Sequence, residues 1–119
     1  MKTITYNELI KLFEPGKNHP VLINTLSKEE FQKSHLPGSI NIPADKIAQK
    51  APELFAQHDW IVVYCASQQC DASHKAGQTR EKLGFTNVYR FEGGIEEWKN
   101  HSKYLCTEQP TGQLKRTAA

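Results

Sequence analysis

Trp60-Ile-Val-Val-Tyr-Cys-Ala-Ser-Gln-Gln-Cys-Asp-Ala-Ser73 decides how the chain is read. Trp60 to Tyr64 is a short apolar run of β-branched and aromatic residues, the pattern of a buried strand. It ends at Cys65, and a polar loop follows. Ser73 suits a helix N-cap, and His74 to Leu83 carries helix formers after it. Cys65 is therefore expected at the carboxyl end of a strand, facing the start of the next helix. In an open α/β sheet ligands bind at that end. Helix N–H groups there would lower a thiol pKa and hold an anion beside it. Two readings of Cys65 stand at this point. One is a nucleophile. The other is a small apolar residue closing the strand, since unpaired Cys is among the most buried residue types.

Upstream, Thr5-Tyr-Asn-Glu8 has the spacing of a capping box, and Leu9, Ile10, Leu12 and Phe13 form an apolar helical face after it. Pro15-Gly16 ends that helix. Val21 to Asn24 reads as a fully apolar strand of a parallel sheet. Ser27-Lys-Glu-Glu30 is a second capping box, opening a helix through Gln32. Leu36 to Ser39 is a turn, and Ile40 and Ile42 alternate with polar neighbours in a brief strand closed by Pro43. Asp45 to Gln57 is helix-forming, broken or restarted at Pro52. Downstream, Gly84 fits the C-cap of the helix from Ser73, Asn87 to Phe91 is a strand, and Gly93-Gly94 turns into a helix over Ile95 to Lys99. Strands alternate with helices, so the class is α/β with a largely parallel sheet.

The 119 residues make one domain, expected over 1–105, with 106–119 as a loose tail that has little to bury. A net charge of +2 and the lack of basic clusters interleaved with aromatics argue against nucleic acid as a partner. Lys115-Arg116 reads as part of a solvated tail. No apolar run approaches the ~20 residues of a membrane span, and the N-terminus lacks the apolar core of a secretory signal. A reducing cytoplasmic setting is the expectation. Three Cys, an odd count, do not suggest a disulfide framework. Cys65 and Cys70 lack CxxC spacing, and His74 nearby leaves a zinc site without an obvious fourth ligand. No metal and no cofactor is expected.

Three stretches together resemble the rhodanese-like (sulfurtransferase) family. The first is Val21 to Asn24, then Glu30-Phe31, then His35-Leu-Pro-Gly-Ser-Ile-Asn-Ile-Pro43. The second is Ile61-Val-Val-Tyr-Cys65, like the strand leading into that family's cysteine. The third is Leu83-Gly-Phe-Thr-Asn-Val-Tyr-Arg-Phe-Glu-Gly-Gly-Ile-Glu-Glu-Trp98. The resemblance implies a five-stranded, mostly parallel sheet flanked by helices on both faces. It also implies that Cys65 takes sulfane sulfur from a small donor such as thiosulfate, or from a protein persulfide. The sulfur then passes to a thiol or cyanide acceptor. Backbone amides of Ala66, Ser67, Gln68, Gln69, Cys70, Asp71 and Ala72 would hold the persulfide anion. A monomer is the expected state.

The loop departs from the family pattern. Where C-x-x-G-x-R and a hydroxyl residue are usual, this chain has Gln68, Cys70 and Asp71, and the interval from Cys65 to Gly84 is longer. The Asp and Arg that the family carries at the end of the first stretch's opening strand are here Asn24 and Leu26. No Arg lies between Cys65 and Arg80. A Cys-based phosphatase or arsenate reductase needs that guanidinium fork, so both are disfavoured. Thiosulfate, a dianion, loses the same support. His74 and Lys75 are read as solvated first-turn residues, with partial restoration of positive charge as the alternative. Cys70 is read either as an apolar plug or as a resolving thiol that attacks the Cys65 persulfide, releasing sulfide and leaving a disulfide. Three functions remain in play: a sulfurtransferase, a binding or regulatory module that keeps only the fold, and a thiol redox sensor using Cys65 and Cys70. His35 is read as a structural residue of the turn, and Phe91 and Trp98 as core.

Overall fold

The computed structural model describes residues 2–66, 75, 78, 79 and 82–101, together with the backbone of 104–108 and 114–118. The main sheet holds five strands, β1 (Lys2–Ile4), β2 (Val21–Asn24), β3 (Ile40–Asn41), β4 (Ile61–Tyr64) and β5 (Val88–Phe91). Their spatial order is β1-β5-β4-β2-β3, and every neighbouring pair is parallel. The crossovers carry the helices α1 (Tyr6–Leu12), α2 (Lys28–Lys33) and α3 (Ile47–Leu54), and α4 (Gly94–His101) follows β5. This is the α/β class and the five-stranded parallel sheet expected from the sequence.

β4 is central, and all four of its residues are buried. Its alternation sorts the core into two layers. Val62 and Tyr64 pack with Leu9 of α1, Leu22, Phe91 and Ile95 of α4 on one face. Ile61 and Val63 pack with Ile23, Ile47 and Ala51 of α3, and Val88 on the other. A strand covered on both sides needs apolar residues at every position, which is why Trp60 to Tyr64 reads as a continuous run.

The Thr5–Glu8 capping box forms as expected, whereas at Ser27 only the N-cap half forms, and the Ser27 hydroxyl itself donates to the Glu30 carboxylate at 3.3 Å. Thr5 Oγ1 accepts the Glu8 N–H at 3.2 Å and the Glu8 carboxylate accepts the Thr5 N–H at 3.0 Å. Ser27 Oγ accepts the Glu30 N–H at 3.2 Å. The backbone is helical at residues 75, 78, 79 and 82, within the stretch expected to be helical, and Gly84 beyond it has φ +92°.

Three elements differ from the sequence reading. β1 carries too little pattern to be read locally, because only Ile4 of its three residues is buried. The stretch from Asp45 divides into a 3-10 turn over Ala44–Lys46 and then α3, which ends at Leu54. Pro52 lies inside α3 without breaking it. The hydrogen bond it removes is the one to the Ala48 carbonyl, at an exposed position where water can replace it. Where a loose tail is expected from 106 onward, the chain instead has β6 (Tyr104–Glu108), which begins just before that boundary, and β7 (Leu114–Ala118), paired antiparallel as a separate two-stranded sheet. Among the described residues, no helix is long and apolar enough to cross a membrane.

Candidate active site around Cys65

Cys65 is the first residue past β4, at the carboxyl end of the sheet, and is 1% exposed. The peptide chain around it is held by three successive carbonyls. Tyr64 O accepts both the Thr25 N–H and the Thr25 hydroxyl, each at 3.0 Å. Cys65 O accepts the Ile95 N–H at 2.9 Å, and Ala66 O accepts the Glu96 N–H at 2.8 Å. The free N–H groups at the start of α4 are thus spent on the backbone at Cys65 and Ala66. Close docking of α4 requires Gly94. A Cβ there would collide with the Cys65 carbonyl oxygen, and its φ of +61° lies in the left-handed region.

One residue earlier, the Tyr64 hydroxyl is the centre of a buried network. It accepts the Leu36 N–H at 3.0 Å and the Asn24 side-chain amide at 3.2 Å. Ser39 Oγ donates to Leu36 O at 2.7 Å, so the 2.7 Å contact between the two hydroxyls is donated by Tyr64. One donated and two accepted bonds satisfy the phenol. Asn24 also accepts the Leu26 N–H at 2.9 Å. A carboxylate at position 24 could accept from Leu26 but could not donate to Tyr64. The amide therefore sets the proton order of the network. Leu26, where the family pattern has a cation, is buried in the apolar core instead.

Of the loop residues expected to bind substrate, Ala66 is half-buried beside Cys65. Ser67, Gln68, Gln69, Cys70, Asp71 and Ala72 lie outside the described residues, as do Ser73 and His74. The resolving role weighed for Cys70 is therefore not addressed by the geometry. Lys75 is exposed on helical backbone. His35 is 2% exposed, donates from Nδ1 to the Phe31 carbonyl at 2.8 Å and stacks on the Phe31 ring, which fits a structural residue of the turn. The Tyr64 hydroxyl, Asn24 and Gly94 were missed as site residues. The one signal for the first two was a phenol and an amide in otherwise apolar strands, where a buried polar group needs a partner.

The rhodanese-like domain model matches residues 5–101. The chain belongs to the rhodanese-like domain family. Among curated relatives it is 34% identical over 96 residues to the HTH-type transcriptional regulator Rv0324 of Mycobacterium tuberculosis, covering 81% of this chain and 41% of that protein. It is 34% identical over 70 residues to the putative sulfur carrier protein YrkF of Bacillus subtilis, covering 59% of this chain and 36% of that one. The chain thus spans less than half the length of these two relatives. The human single-domain sulfurtransferase TSTD1 shares the fold with a TM-score of 0.73 at 23% identity, over 86% of this chain and 98% of that one.

Tyr64→Phe orphans the Leu36 N–H and the Asn24 amide. Each buried unpaired group costs roughly 1–3 kcal/mol, so urea unfolding should show a loss of about 2–4 kcal/mol. Gly94→Ala adds left-handed strain to the clash with the Cys65 carbonyl. The expected loss is again about 2–4 kcal/mol, with a slower reaction of Cys65 in the folded variant because α4 must back away.

Proposed function

We propose that the chain carries sulfane sulfur on Cys65. The observation that carries this reading is the position of a cysteine immediately past the central strand, on a peptide whose flanking carbonyls are all pinned. Membership of the rhodanese-like family and the likeness to a protein named as a putative sulfur carrier support it. The Cys65 thiolate attacks the sulfane sulfur of the donor. A new S–S bond forms, the donor's own bond to that sulfur breaks, and the remainder leaves with the electron pair. An acceptor thiolate or cyanide then attacks the outer sulfur and Cys65 leaves as thiolate. Holding the nucleophile's backbone still keeps the reacting atom in place without an ordering cost at each turnover.

The donor is read as a persulfide or polysulfide in preference to thiosulfate. No Arg occurs from 66 to 79, so a compact dianion finds no guanidinium fork in the loop sequence. A second reading, a binding or regulatory module, is favoured by the 1% exposure of Cys65, which packs in the apolar cluster as a small core residue does.

Incubation with polysulfide and then cyanide tests the first reading. Wild type should form thiocyanate in a Cys65-dependent burst, and Cys65→Ser should fall to the uncatalysed rate while keeping the fold. Equal thiocyanate from the Ser variant would remove Cys65 from the mechanism. Alkylation at about pH 6.5 separates the readings. A sulfur carrier reacts there as a thiolate, whereas a module with a thiol near the ordinary ~8.5 reacts far more slowly.

A further inference from the structure

A groove of about 490 Å³ runs along the outer edge of β3, from α2 on one side to the 3-10 turn and α3 on the other. Lys28, Lys46 and Lys50 stand around it, and the described part of its lining contains no carboxylate. All three lysines are exposed, and among the described residues none of them has an ion-pair partner. The sequence places them far apart, at the start of α2, at the end of the 3-10 turn and within α3. The fold brings them together.

Two polar features of the groove suit a polypeptide more than a small anion. The Ile42 N–H donates to Asn24 O at 3.0 Å, so the peptide groups of Asn41, one residue earlier, point away from β2 towards the open edge. A second strand could pair there. His35, 2% exposed, lines the groove, and its Nδ1 proton is committed to Phe31 O. Nε2 has no protein partner among the described residues and offers a lone pair to a donor such as a peptide N–H. A buried acceptor of this kind is costly until it is paired. The volume also exceeds what one inorganic anion fills and suits several residues of extended chain.

We propose that this groove docks an extended acidic segment of a partner protein, the donor or acceptor of the sulfur, by adding a strand to β3. Calling the partner a sulfur donor or acceptor rests on the function proposed above. Lys28 and Lys46 follow the carboxyl ends of β2 and β3, the sheet end at which Cys65 lies. With β2 between β3 and β4, the edge is roughly 10 Å from the β4 axis. A partner held there is presented to Cys65 by charges that the loop sequence itself lacks.

The probe is an end-blocked, alternating Glu-Val peptide of about ten residues, long enough to lie extended over the groove. It is titrated against the full chain and followed by backbone amide NMR. The expected result is saturable shifts at Ile40 and Asn41 and at the three lysines, weakening as salt passes ~0.15 M. In the Lys28→Glu/Lys46→Glu/Lys50→Glu variant, affinity should fall roughly tenfold or more at unchanged melting temperature, and a Lys-Val peptide should not bind. Equal affinity in the variant, shifts confined to another surface, or full competition by inorganic phosphate would overturn the proposal. So would the same shifts on self-association without peptide. Loading of Cys65 from inorganic polysulfide is measured alongside and should be unchanged in the variant. Absence of loading in wild type would overturn the sulfur reading and leave the peptide result standing.

Discussion

The hydrogen bonds that fix the chain where β4 ends are the constraint on which the site depends. Tyr64, Cys65 and Ala66 are consecutive, and each carbonyl has a partner from a different part of the chain. Thr25 comes from the end of β2, and Ile95 and Glu96 come from the start of α4. The Tyr64 hydroxyl then ties in the turn before β3 through Leu36 and Ser39. The end of β2 and the turn before β3 thus meet β4 at buried Tyr64, and the start of α4 joins at the next two residues, the first of which is the nucleophile candidate. A buried network like this is stable only when complete, and the donor and acceptor accounting at Tyr64 closes.

The same arrangement explains why so much sequence is occupied in placing one cysteine. Apolar β4 residues anchor the strand in two core layers. Gly94 lets α4 approach closely enough to cap the chain after it. Tyr6, whose N–H is accepted by Glu97 at 3.0 Å and whose ring packs edge-on against Trp98, fastens α1 to α4 on the same face. What the loop sequence lacks in positive charge is found instead in lysines gathered at the β3 edge, a separation between the reacting atom and the charges that attract a partner.

Much of this was legible in the sequence, and the failures have physical causes. β4, the two caps and the parallel α/β class follow from apolar runs and hydroxyl–carboxylate spacings, which are local properties. β1 escaped because a three-residue edge strand with one buried side chain has no period to detect. The β6–β7 pairing escaped because backbone hydrogen bonds between strands need no apolar pattern. Cys65 could be singled out from its place after the strand, but the tie from Asn24 to Tyr64 spans 40 residues and appears only on folding. The three groove lysines, each unremarkable in its own segment, are legible only as a group in space.

The most direct test is to treat wild type with polysulfide, cap the products by alkylation and locate the added sulfur by peptide mass spectrometry. The account predicts one extra sulfur atom on the Cys65 peptide at sub-stoichiometric donor. Sulfur on Cys70 or Cys106, with Cys65 unmodified, would contradict it.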